Sequence, residues 1–228
     1  MKFFDSLIAE LNGAVAPLEK KIYSADKAWK DSGTNQVIMK RDTAFELDGT
    51  GFNLVTAEKT DDEIIVIGND LAEIPKDCKF ARVAVIEIDA DGDEQEAYKL
   101  IKKIEYVKYH CFPDGYMSRS TSRSHKEAVR VSEKAVSDGI SFQSVGSLLI
   151  EKYKEIPAVR GVRLIFITDS RADFGKIENL AVKNHEITET LNHIMNNITF
   201  DCDTCNLKPI CDEVEGMKEL HFKNSGKM

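Results

Sequence analysis

Apolar residues recur at helical spacing from the start of the chain. Phe4, Leu7, Ile8, Leu11, Val15 and Leu18 predict one amphipathic helix running to about residue 29. The turn formers of "KDSGTNQ" then break the pattern. Three short apolar runs follow, "QVIMK", "GFNLVTAE" and "DEIIVIGN", each of strand length and bounded by Gly or Asp. "FARVAVIEI", residues 80 to 88, is rich in β-branched residues and reads as a buried strand. A helix is predicted from about residue 94 to 110, with Ala97, Leu100, Ile101, Ile104 and Val107 on one face. "CFPDGYMSRSTSRSH" reads as a loop. Helices are expected from about 125 to 137 and 142 to 154, with Gly139 as a C-cap between them. "VRGVRLIFITD" is the strongest strand, and Asp169 and Ser170 suit the N-cap of a helix from about 172 to 195.

This order of elements implies an α/β or α+β fold, a mixed sheet with helices packed on it and a C-terminal cysteine-rich tail. The composition shifts near Phe200, which divides the chain into an α/β domain over 1–199 and a cysteine-motif tail over 200–228. At 42% hydrophobic and 31% charged residues, the chain has an ordinary globular composition. Its formal net charge of −8 argues against general affinity for nucleic acid or an anionic membrane surface. No run approaches the roughly 20 apolar residues of a membrane helix, and Asp5 and Glu10 interrupt any signal-peptide core. A cytoplasmic location is therefore expected, where thiols stay reduced.

Five cysteines cannot all pair, and three of them fall in "CDTCNLKPIC" as Cys202-x2-Cys205-x5-Cys211. Thiolates at this spacing suit an iron–sulfur cluster or zinc. A [4Fe–4S] cluster is the expected cofactor. A structural zinc site, with His221 as the fourth ligand, and plain unligated cysteines are the alternatives. Cys111, in a loop able to reach the tail, is the preferred fourth cluster ligand; Cys78 reads as a structural residue ahead of a strand.

"YMSRSTSRSHKEAVR" is the one positive stretch of an acidic chain. Arg119, Arg123 and Arg130, with the hydroxyls of Ser118, Ser120, Thr121, Ser122 and Ser124, are candidate ligands for a phosphate or carboxylate ahead of a helix N-terminus. The plainer reading is a solvated loop with a capping box formed by Ser124 and Glu127. Other signals are weak. "DADGDEQ" lacks the Gly and Glu of a calcium loop and reads as a helix-capping turn. "GTGFN" lacks the third glycine of a phosphate loop. His185 and His193 stand eight apart on one helix and read as structural, as does Trp29.

The helix, helix and strand order of "RVSEKA", "GISF", "LLIEKYK" and "IFITD", followed by the cysteine tail, resembles the β subunit of the carbon monoxide dehydrogenase/acetyl-CoA synthase complex. The resemblance covers about residues 105 to 223. It implies one-carbon chemistry, in which a methyl group, carbon monoxide and coenzyme A are joined at a nickel centre bridged to a [4Fe–4S] cluster. It also implies arginines facing coenzyme A and a one-carbon-pathway protein partner. The family's nickel-holding Cys-Gly-Cys motif is absent here, and five cysteines cannot supply both the nickel and the cluster. The expected function is thus an iron–sulfur-binding accessory or electron-transfer protein that binds coenzyme A or another anion. The alternative is a non-catalytic zinc module docking to a larger one-carbon enzyme.

Overall fold

The structure is a computed structural model. It describes residues 2–89, 94–120, 125–196, 205–214, 216, 217 and 220. The described residues form one seven-stranded mixed sheet flanked by six helices. In chain order these are α1 (Asp5–Val15), β1 (Lys21–Ser24), β2 (Thr43–Thr56), β3 (Glu63–Ile67), β4 (Cys78–Ile88), α2 (Glu94–Val107), β5 (Tyr116–Ser120), β6 (Lys126–Ser132), α3 (Glu133–Ser137), α4 (Phe142–Lys154), β7 (Val159–Ile167), α5 (Phe174–Met195) and α6 (Lys208–Glu213). The strand order is β1-β3-β7-β4-β2-β6-β5. β3 and β7 run parallel, as do β2 and β4; the other neighbours are antiparallel. The expected α/β layering with a mixed sheet is what the chain forms.

Burial on both sides makes the central strands near-continuous apolar runs, as in β4 and β7. Helix α4 covers one face. Phe142 at its start stacks with Phe80 of β4 and Phe166 of β7, at centroid distances of 6.0 and 4.5 Å. Gly146 of α4 lies so close to the sheet that a Cβ would sit 2.6 Å from Ile64 of β3. Helix α5 covers the other face: Lys79, alternating with Phe80, lies over Phe174 at the start of α5. α1 and α6 pack against α5. Ile210, Met217 and Leu220 bring the C-terminal segment into the core.

Four expectations are corrected. The first helix stops at Val15, two residues before Pro17, which cannot continue it. Its expected continuation contains the edge strand β1 instead. "QVIMK" is not a strand: it runs beside β5 through side-chain contacts, with Gly115 N donating to Gln36 Oε1 at 3.0 Å and Ile38 N to Met117 Sδ at 3.4 Å. The expected loop and helix over 111–132 contain the antiparallel pair β5–β6. The helix there is reduced to α3, capped by Ser132, whose Oγ accepts from Ala135 N. Finally, α5 is capped by Asp173, which accepts from Lys176 N at 2.9 Å, while Asp169 binds Arg171. The expected C-cap at Gly139 is present, with φ +86°. The turn over 90–93 lies outside the described residues. No helix among those described is long and apolar enough to cross a membrane.

Candidate functional site

Strands β2, β4 and β6 carry a buried polar cluster in the layer under α4. Arg82 of β4 and Glu127 of β6 are 2% exposed each. Arg82 Nε donates to both Glu127 carboxylate oxygens at 3.1 Å, and Nη2 donates to Oε2 at 2.8 Å. Such a fork is the geometry in which a guanidinium and a carboxylate satisfy one another best. Burial, the largest single effect, would lower the Arg82 pKa; the Glu127 charge, Tyr153 and the hydrogen bonds to Glu127 together outweigh it and hold the guanidinium above its ordinary range. Gly51 of β2 makes room for the pair, since a Cβ there would lie 1.7 Å from Glu127 Oε2. Asn53 extends the cluster: its Oδ1 accepts from Tyr153 Oη at 2.9 Å, and its Nδ2 donates to Glu105 of α2 at 2.8 Å.

The cluster reaches the surface along β5. Ser118 Oγ lies 3.4 Å from Glu127 Oε1, and Ser118 lines a cleft of about 320 Å³ between edge strand β5, the end of α2 and the 35–36 segment. Lys108, Cys111, Tyr116 and Arg119 also border it. The Tyr116 hydroxyl is buried and has no hydrogen-bond partner among the described residues, an arrangement that costs stability unless a ligand or water completes it. Burial, then the Glu127 charge, raises its pKa well above the ordinary phenol value, so the hydroxyl is a neutral donor.

Arg119 is exposed on β5 at the cleft. Arg130 is engaged within the fold, Nε donating to Glu46 at 2.8 Å; Arg123 lies outside the described residues. Ser118 and Ser120 lie on β5, while Thr121, Ser122 and Ser124 lie outside the described residues; β6 follows rather than a helix, and Glu127, within β6, holds Arg82 instead of capping a helix. Sequence reasoning found Arg119, Cys111 and the Ser118 hydroxyl but missed Tyr116 and the Arg82–Glu127 pair. The available signal was the alternation Glu127, Val129, Val131, the buried positions of β6.

The four described cysteines form no disulfide. Cys205 and Cys211 lie in the C-terminal segment around α6, both half-buried; Cys202 and His221 lie outside the described residues. Cys111 is in the core, 6% exposed, and burial pushes its thiol pKa up to about 12. Among the described residues no three His, Cys, Asp or Glu side chains are grouped to hold a metal ion, so Cys111, Cys205 and Cys211 do not converge. The donor set of the tail fits a thiolate-bound metal, and Cys111, in the core, is not grouped with Cys205 and Cys211 among the described residues. Cys78 is half-buried at the start of β4, with a pKa raised by burial.

Over residues 33–172 the chain matches a family model described as CO dehydrogenase/acetyl-CoA synthase complex beta subunit. The match covers more than half of the 228 residues. It spans β2 to β7, including the cleft and the buried pair; it begins well before the segment that carries the sequence resemblance and ends before the cysteine tail. No curated protein matches the chain.

Proposed function

Since the chain belongs to the CO dehydrogenase/acetyl-CoA synthase beta subunit family, we propose that it is an accessory one-carbon protein that binds coenzyme A or a related anion in the β5 cleft. The observation that carries this reading is Tyr116, which borders the cleft with Lys108 and Arg119 and whose buried hydroxyl lacks a hydrogen-bond partner among the described residues. The hydroxyl would donate to a carbonyl or phosphoryl oxygen, and exposed Arg119 would neutralise its charge, Lys108 being paired with Glu105 at 2.8 Å. Arg82 and Glu127 do not touch the ligand; they hold β6, and through Ser118 the cleft wall, in register. Isothermal titration of coenzyme A tests the proposal. Tyr116→Phe should weaken binding by about tenfold, the loss of a hydrogen bond to a charged group, and Arg119→Ala with Arg123→Ala should weaken it further. Absence of binding by the wild type, or equal binding by these variants, refutes it.

The cysteine tail supports a second element of the proposal, in which Cys202, Cys205 and Cys211 hold a [4Fe–4S] cluster. When bound, such a cluster supplies one-electron transfer. The chain's own part is to present three thiolates on a segment anchored by Ile210, Met217 and Leu220 in the core. Anaerobic purification with metal analysis tests it: about four irons per chain supports the cluster, and one zinc per chain in a colourless protein replaces it with a structural zinc module. A one-carbon enzyme partner is part of this reading through the family alone.

A further inference from the structure

Outside the cleft, the last turns of α2 and α4 enclose a groove of about 510 Å³. Its floor is Val107 and Ile156, both packed against the core. Its wall is Tyr106 stacked on His110, with ring centroids 3.5 Å apart and planes within 16°. Lys102, Lys103 and Lys152 form the rim. Lys152 is paired with Asp31 and Glu155. Lys102 lies over the Tyr98 ring, and neither it nor Lys103 is in an ion pair with a described residue.

Lysines near a helix C-terminus offset its dipole without any ligand. The aromatic wall needs a different account. Tyr106 is 60% exposed, yet its ring is held against His110, whose Nδ1 hydrogen-bonds the Tyr106 carbonyl at 3.0 Å. Fixing two rings on the surface costs side-chain entropy, and it leaves a flat platform already in place for a planar ligand.

We propose that this groove binds a nucleoside diphosphate, the base on the Tyr106–His110 platform and the phosphates at Lys102 and Lys103. Stacking on an aromatic face favours any base, and Lys102 and Lys103, in no ion pair among the described residues, select an anionic ligand. The groove volume is within the roughly 300–1,000 Å³ of small-molecule sites. The site is separate from the β5 cleft and does not depend on the reading given for it.

The test is titration of the full chain with ADP at low salt, read by calorimetry and by the Tyr106 and His110 ring resonances. One saturable site is expected. Tyr106→Ala should weaken ADP by at least about tenfold. Lys102→Gln with Lys103→Gln should weaken it and flatten its salt dependence, while Arg119→Ala leaves it unchanged. Inorganic pyrophosphate should bind at least about tenfold more weakly than ADP, since it cannot stack. Competition by coenzyme A at these same resonances would also support the site and identify a nucleotide carried on a larger molecule as its source. The exposed positions of these side chains make misfolding a poor explanation of a loss, and an unchanged Tm checks it. Equal affinity for pyrophosphate and ADP, no effect of Tyr106→Ala, or loss of ADP binding in Arg119→Ala each overturns the proposal.

Discussion

Glu127→Leu removes one half of a charge pair that is 3% exposed on both side chains. At 2.8 Å and an effective dielectric constant near 20, the attraction is about 6 kcal/mol, and desolvation of both groups offsets much of it. The single substitution leaves Arg82 buried without a counter-charge and with its three bonds to Glu127 lost. The expected cost is about 3–5 kcal/mol, a large part of the roughly 5–15 kcal/mol that holds a domain folded. Replacing both partners, Arg82→Met with Glu127→Leu, should recover most of that loss, because apolar side chains of similar volume need no partner. Gly51→Ala should act through the same pair by pushing a methyl group into Glu127, and its cost should shrink in the double variant. Urea denaturation of the wild type and these four variants measures the differences. A Glu127→Leu cost below about 1 kcal/mol, or a double variant less stable than the single, would refute the reasoning.

Other outcomes follow from the same geometry. His125 is half-buried beside His185, at 4.6 Å between centroids, with Lys108 and Glu105 also facing it. Burial first, then His185, lowers its pKa to about 4. The folded state therefore resists a proton that the unfolded state takes up near pH 6.5. Stability should fall between pH about 6.5 and about 4 and then level with respect to this group. His125→Asn, which tolerates the local φ of +49°, should reduce that slope in urea titrations; an unchanged slope refutes it. Tyr116→Phe should be neutral or stabilising by about 1 kcal/mol in the unliganded protein, since it removes a buried hydroxyl without a partner; a clear loss of Tm would show that the hydroxyl is satisfied. Phe142→Ala breaks the three-ring stack with Phe80 and Phe166 and should cost about 3–5 kcal/mol by denaturation. Cys111 should remain unlabelled by iodoacetamide at pH 8 in the folded protein, read by peptide mass spectrometry; rapid native labelling would contradict its burial.

The sequence by itself determined the elements whose side chains follow one physical rule along their length. Apolar runs gave away β3, β4 and β7, and helical periodicity gave away α2, α4 and α5. Motif order was enough to point to the family. It also marked Arg119 and Cys111 as residues of interest, because charge and thiol chemistry are visible without a fold. Only tertiary structure decided β5 and β6. The buried positions of β6 include Glu127, a residue that reads as solvent-facing and suits a helix, and it faces inward only because Arg82 arrives on β4 from 45 residues away. The strand alternation is therefore hidden at the position that matters most to the site. The same holds for Tyr116, an ordinary loop residue in the sequence, which lines a cleft with Ser118 once β5 pairs with β6 and α2 ends beside it. Local patterns report what each segment can bury; which charges meet inside the sheet depends on contacts between segments far apart in the chain.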